Sequence, residues 1–243
     1  MNINAFTYAA GAILLGMVGI VFHDFAMQWQ PVPAGIGMRT QLAYLAGALL
    51  AAGGAMLLAP RLERAGALLL TIVIGLWMLV LNLPLAVASP SHIGSWNSPA
   101  EIAFMTSGAL ALYAHGGSGH LSPVLRTTAR MLAGISAIVF GCAHFNYIDF
   151  TAGMVPGWIP FKTFWAWATG AGHLATGLAL ISWFKARLAA GCEAAMMGSF
   201  VVLLHLPRVI AAPDQHVEWI MLAVSSMLTG AALLVRNYAT IEA

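Results

Sequence analysis

Residues 66–87 read GALLLTIVIGLWMLVLNLPLAV, twenty-two positions without one charged side chain. A helix needs about 20 mostly apolar residues to cross the hydrocarbon core of a bilayer, so this stretch is long enough to span it. Seven further stretches read the same way, at about 5–23, 41–59, 100–117, 129–147, 162–184, 190–210 and 218–236. The expected fold is therefore all-α and membrane-integral, with eight transmembrane helices. Composition agrees. Hydrophobic residues make up 60% of the 243-residue chain and charged residues 7%, with a mean hydropathy of +0.86. A soluble domain carries roughly 25% charged residues, so this chain has too little polar surface for water.

The net charge of +2 is too small to point to nucleic acid. The opening MNINAFTYAAGAILLGMVGIVF lacks a positive n-region and is read as the first span rather than a signal peptide. Cys142 and Cys192 fall near opposite ends of their expected helices, which argues against a bond between them.

Charge asymmetry orients the spans. Arg61, Arg64, Arg126, Arg130, Lys185, Arg187 and Arg236 fall on one side, seven of the ten basic residues. Arg39, Lys162 and Arg208 fall on the other. The positive-inside rule puts the first set, and with it both termini, in the cytoplasm. Asp24, Glu101, Asp149, Asp214 and Glu218 then lie outside, and Glu63, Glu193 and Glu242 inside. The expected location is a bacterial inner membrane, with the lipid bilayer as the first partner.

The end of the quoted stretch occurs twice. LNLPLAVASP (81–90) matches LHLPRVIAAP (204–213), and Gly47 and Gly170 each lie 37 residues before the shared proline. Upstream, HDFAMQWQPVP aligns with HFNYIDFTAGMVP if two residues are inserted, which sets His23 beside His144. Arg39 falls on Lys162, and Glu101 aligns with Glu218 across a six-residue difference in loop length. The expected organisation is two four-helix units, 1–118 and 119–243, as tandem bundles of the same orientation, joined by the GGSGH linker at 116–120.

Ionisable groups in a membrane protein are costly and tend to be paired or functional. One cluster holds His23, Asp24, Trp29, His92, Trp96 and Glu101. The other holds His144, Asp149, Trp158, Lys162, His205, Arg208, His216 and Glu218. The bland reading of the tryptophans is an aromatic belt, and of the charges, interfacial ion pairs. Imidazole with carboxylate can also move protons near neutral pH. His144, His173 and His205 stand apart, because His173 aligns with Leu50 and His205 with Asn82. His173 should sit roughly 16 Å below the outer helix end. Two such histidines could ligate haem, or one could donate a hydrogen bond to a quinone carbonyl. The quinone-like ligand ranks ahead of haem, and hydrogen bonding to backbone is the structural alternative. No HExxH or other metal-ligand spacing is present, so no metal is expected.

The stretch HFNYIDFTAGMVPGWIPFKTFWAWATGAGHLATGLALI (144–181) resembles the DoxX-like membrane protein superfamily. The resemblance lies in His144 near the end of a span, the turn Val155-Pro156-x-Trp158-x-Pro160, and the aromatic, Gly-rich span with Phe164, Trp165, Gly170 and Gly177. The first half is similar to a diverged copy that keeps His23, Pro33, Gly47 and Gly54. The resemblance implies a four-helix unit and, for some relatives, a place as membrane subunit or helper of an oxidoreductase.

The leading expectation is a redox-associated protein, conceivably a quinone-linked oxidoreductase subunit, binding an apolar ligand near the periplasmic face. His144, His173 and His205 would contact the ligand, with Trp158, Trp165, His23 and Glu101 around it. Asp149 or Glu218 would relay protons, and Arg208, facing Leu85 in the alignment, would polarise an oxygen. The alternatives are a non-catalytic anchor or assembly factor for a periplasmic redox partner, and a small-solute transporter.

Overall fold

The computed structural model describes residues 3–117 and 119–240. Ser118 of the expected linker and Glu242 lie outside the described residues. Every regular element among the described residues is helical. Eight helices are long: α1 (Phe6–Val21), α2 (Arg39–Leu58), α3 (Glu63–Ala88), α4 (Ile93–His115), α5 (Leu121–Asn146), α6 (Lys162–Ser182), α7 (Ala186–Ala211) and α8 (His216–Ala239). A short helix, Ile148–Met154, follows α5. Five of them, α2, α3, α5, α7 and α8, are long and apolar enough to cross a membrane. That is the make-up of a multi-pass membrane protein. α1 is apolar but only 16 residues long, while α4 and α6 carry Asn97, Glu101, Lys162 and His173 within them.

Proline shapes two helices in the same way. Pro84 and Pro207 lack an N–H, and their rings crowd the carbonyl four residues back. The chain answers with a widened π-helical turn just before each, Trp77–Asn82 in α3 and Val201–His205 in α7. Each such turn ends in a buried polar residue two positions before the proline, Asn82 and His205.

Other features recur at the same interval of 123 residues. Met38 and Phe161, directly before α2 and α6, both take left-handed backbone at φ 58° and 56°. Trp96 Nε1 donates to the Pro90 carbonyl at 3.1 Å, and Trp219 Nε1 to the Pro213 carbonyl at 2.8 Å. For α1 and α5 the interval becomes 125. A Cβ on Gly54 would meet Ala9 and Ile13, and one on Gly177 would meet Gly134 and Ile138. Packing therefore corrects two pairings expected from the sequence. His144 stands where Gly19 stands, because His23 lies one helical turn further along. Glu101 corresponds to Val224, and Glu218 to Ser95, with no difference in loop length. α4 also begins seven residues earlier than expected, so Glu101 is two turns inside a helix rather than at its mouth.

The helices pack in a closed cycle, each on the next from α1 to α8 and α8 back on α1. α4 and α8 also pack on each other through the middle. Small residues permit these central approaches, since lipid supplies no hydrophobic drive between helices. A Cβ on Gly108 would lie 2.5 Å from Ala231 Cα, and one on Gly230 would run into the Tyr8 backbone. The Tyr8 hydroxyl crosses from α1 to donate to the Met105 carbonyl of α4 at 2.8 Å. The last helix of each half thus packs on the first helix of the other, so the division at 118/119 runs between helices in contact.

Candidate ligand cavity

A cavity of about 1160 Å³ lies among α4, α5, α6, α7 and α8, at the end of the bundle that carries the loops 22–38 and 147–161. Its walls are largely apolar, with Phe140, Met196, Met197, Phe200, Leu204 and Val224 among them. The turn Val155–Pro160 and the short helix Ile148–Met154 form its rim. Concave, mostly apolar spaces with a few placed polar groups are where small molecules bind.

The polar groups converge from separate helices. His144, near the end of α5, has Nδ1 2.9 Å from the Phe140 carbonyl one turn back. His173, in the middle of α6, has Nδ1 2.7 Å from Glu193 Oε1 on α7. Both members of that pair are buried, with side-chain exposures of 3% and 0%. The His144 and His173 rings lie 4.8 Å apart, centroid to centroid. His173 is boxed by Phe140 edge-on at 5.5 Å and Phe200 at 6.4 Å. His205, delivered inward by the π turn of α7, also lines the cavity, and its buried Nδ1 has no hydrogen-bond partner among the described residues.

From the opposite wall comes Glu101 of α4. It accepts hydrogen bonds from Trp29 Nε1 and from Asn97 Nδ2, the latter at 3.0 Å. Trp158 and Trp165 line the rim and are 71% and 46% exposed, so they frame an opening rather than close it.

Six of the ten residues given ligand or proton-relay roles from sequence therefore line one space: Glu101, His144, Trp158, Trp165, His173 and His205. Four do not. The His23 Nδ1 meets the Tyr44 hydroxyl at 2.8 Å, away from the cavity. Asp149 is exposed on the short helix. Arg208 and Glu218 hold each other in a two-pronged bond, Nε to Oε2 at 2.8 Å and Nη2 to Oε1 at 2.7 Å. Asp24 and Arg39 pair likewise at 2.7 Å. The last two are the interfacial ion pairs that the bland reading expects.

Sequence reasoning missed Glu193, which it had counted with the cytoplasmic acids. The signal was available. His173 stands nine residues before the end of α6, and Glu193 seven after the start of the antiparallel α7, so the two share a depth.

The first half shows what the second half has given up. At the places of His144, His173, Glu193 and His205 it has Gly19, Leu50, Leu70 and Asn82. Leu50 and Leu70 are fully buried. Asn82 Nδ2 is satisfied by the carbonyls of Trp29 at 3.0 Å and Trp77 at 3.3 Å. Leucines stand in the first half where the second half has His173 and Glu193, and the second half opens a space floored with imidazole and carboxyl. No cluster of three or more His, Cys, Asp or Glu side chains placed to hold a metal ion occurs among the described residues.

The fold and site together define a multi-pass helical membrane protein with one polar-floored apolar cavity at one end. Set beside known proteins, the chain matches no family model, no curated protein and no solved structure.

Proposed function

We propose that this chain is a redox-associated protein of the bacterial inner membrane that binds a quinone-like apolar ligand in the second-half cavity, near the periplasmic face. The observation that carries this reading is the cavity itself: apolar walls for a ring and tail, and His144, His173 and His205 where the polar head would lie. In this reading all eight helices cross the bilayer, as two tandem DoxX-like units of the same orientation. The polar groups in α4 and α6 are accommodated because α4 lies centrally, His173 of α6 faces the cavity, and Lys162 stands exposed at the first position of its helix. Both termini are cytoplasmic by the distribution of Lys and Arg.

The roles follow from the contacts. His144 and His173 meet the ligand head, and Glu193 holds His173 in place and shares its proton. Glu101, fixed by Trp29 and Asn97, forms the facing wall. Arg208 and Glu218 tie α7 to α8 beside the site, and the relay role passes from Asp149 and Glu218 to the His173–Glu193 pair.

Purification in mild detergent, followed by solvent extraction and mass spectrometry, tests the reading. Stoichiometric quinone is expected in the extract, and no Soret band in the protein spectrum. Protein that neither retains quinone nor binds added quinone analogues would refute it. Exposed Phe150 and Trp158 at the cavity rim, with exposed Phe161 and Phe164 following in the chain, favour a second reading, in which that face docks an oxidoreductase subunit. Ligand-free protein that still co-purifies with such a subunit would turn the assignment toward an anchor or assembly factor. For topology, Asp149→Cys in a background without Cys142 and Cys192 should react with a membrane-impermeant thiol reagent from outside, and Arg126→Cys should not.

A further inference from the structure

The hydrogen bonds at the cavity floor fix what each imidazole offers a ligand. His144 Nδ1 lies 2.9 Å from the Phe140 carbonyl oxygen, which can only accept, so Nδ1 carries a hydrogen. The uncharged ring then presents a lone pair at Nε2.

His173 needs a proton count. Its Nδ1 faces Glu193 Oε1 at 2.7 Å, and Glu193 Oε2 is buried with no hydrogen-bond partner among the described residues. A carboxylate beside an uncharged imidazole would leave a net charge buried in apolar surroundings, which is expensive. Two arrangements avoid that: imidazolium with carboxylate, and imidazole with carboxylic acid. An acid proton on Oε2 would find no acceptor, so in the second arrangement it sits on Oε1 and is donated to Nδ1. In both arrangements His173 Nε2 carries a hydrogen.

The floor thus holds one donor, His173 Nε2–H, beside one acceptor, His144 Nε2, on rings 4.8 Å apart. Both rings line the cavity, side by side and close enough for one ligand headgroup to meet both. We infer that the cavity grips its ligand by a hydroxyl group, and so takes a hydroquinone in preference to the matching quinone. A hydroxyl oxygen accepts from His173 while its own hydrogen goes to His144. A quinone carbonyl accepts from His173 and leaves the His144 lone pair facing an oxygen, shut off from water. This inference rests on the cavity being a quinone-type site.

Isothermal titration of the full-length protein in nanodiscs, under anaerobic conditions, with decylubiquinol and decylubiquinone tests it. The quinol should bind about ten-fold more tightly, the factor that goes with leaving one buried acceptor unpaired. His144→Phe keeps the ring volume and removes the acceptor, so it should abolish the preference: quinol affinity falls, and the quinone, which no longer strands a lone pair, binds at least as tightly as before. His173→Phe should weaken both. Equal affinities in the unmodified protein, or tighter binding of the quinone, overturn the hydroxyl inference and leave the cavity assignment standing. Absence of saturable binding by either form overturns both.

Discussion

The buried His173–Glu193 pair makes a prediction whose sign depends on how many partners are removed. The two side chains are 3% and 0% exposed and meet at 2.7 Å. Replacing one alone, as His173→Leu or Glu193→Leu, leaves the other polar group buried without its partner. For buried pairs this costs about 3–5 kcal/mol. Replacing both with leucine removes the desolvation penalty along with the attraction, and such exchanges are neutral or stabilising by about 1–4 kcal/mol. The first half already holds leucine at both equivalent places, Leu50 and Leu70, each fully buried. The double variant should therefore be at least as stable as the parent, while each single variant is several kcal/mol weaker. Reversible unfolding in mixed micelles, followed by tryptophan fluorescence, supplies the cycle. With each single variant costing about 3 kcal/mol or more and the double variant costing nothing, the expected coupling is about 6 kcal/mol or more. If the double variant loses as much as the two singles added together, the pair does not act as a unit and the proton count at the cavity floor is wrong. The double variant should also lose the hydroxyl donor, and with it most of the binding of both quinol and quinone.

Other perturbations separate the cavity from its surroundings. Arg208→Ala strips the two-pronged partner from Glu218, whose side chain is 11% exposed, and should cost about 1–3 kcal/mol in the same unfolding assay. Because neither residue lines the cavity, quinol affinity should stay within about two-fold, as for independent sites; a large loss of affinity would put Arg208 back among the ligand contacts. Gly230→Leu drives a side chain into the Tyr8 backbone and should cost at least about 2 kcal/mol by forcing α1 and α8 apart, with intact stability refuting the close approach. His23→Ala breaks the contact with Tyr44, so ligand titration should be unchanged; weakened binding would show that His23 reaches the ligand.

Much of this structure was legible because the signals are long. Spans of some twenty apolar residues survive an error of a few positions, and five of the helices are long and apolar enough to cross a membrane; each of the paired LxLP segments carries a π turn just before its proline. The histidine trio was legible for a related reason: a difference between two otherwise matched halves marks where one was specialised. What failed were single-residue registers. His23 and His144 look equivalent in a string, yet helix contact at Gly54 and Gly177 sets the interval at 125 and puts Gly19 opposite His144. Glu101 was placed at a helix mouth because the apolar stretch was read from about residue 100, but the helix starts at Ile93, with Pro99 in its second turn. Glu193 was counted by the side of its nearest loop, although its depth matches that of His173.

In the proposed two-unit organisation, the half without the cavity can support the half that holds it. A cavity that buries an imidazole and a carboxyl forgoes packing, and each unfilled or polar position weakens the helices around it. In a lone four-helix unit those same helices would have to supply all the stability. Here α8 packs on α1 and α4 on α5, so the well-filled first half shares its contacts with the half that holds the cavity. The central helices show the division most plainly. Glu101 of α4 and Val224 of α8 occupy equivalent places, and both face the second-half cavity. One has become a fixed carboxyl and the other has stayed apolar wall. A symmetric dimer of single units would have to carry the same residue at both places, a constraint that the proposed pair of units in one chain does not share.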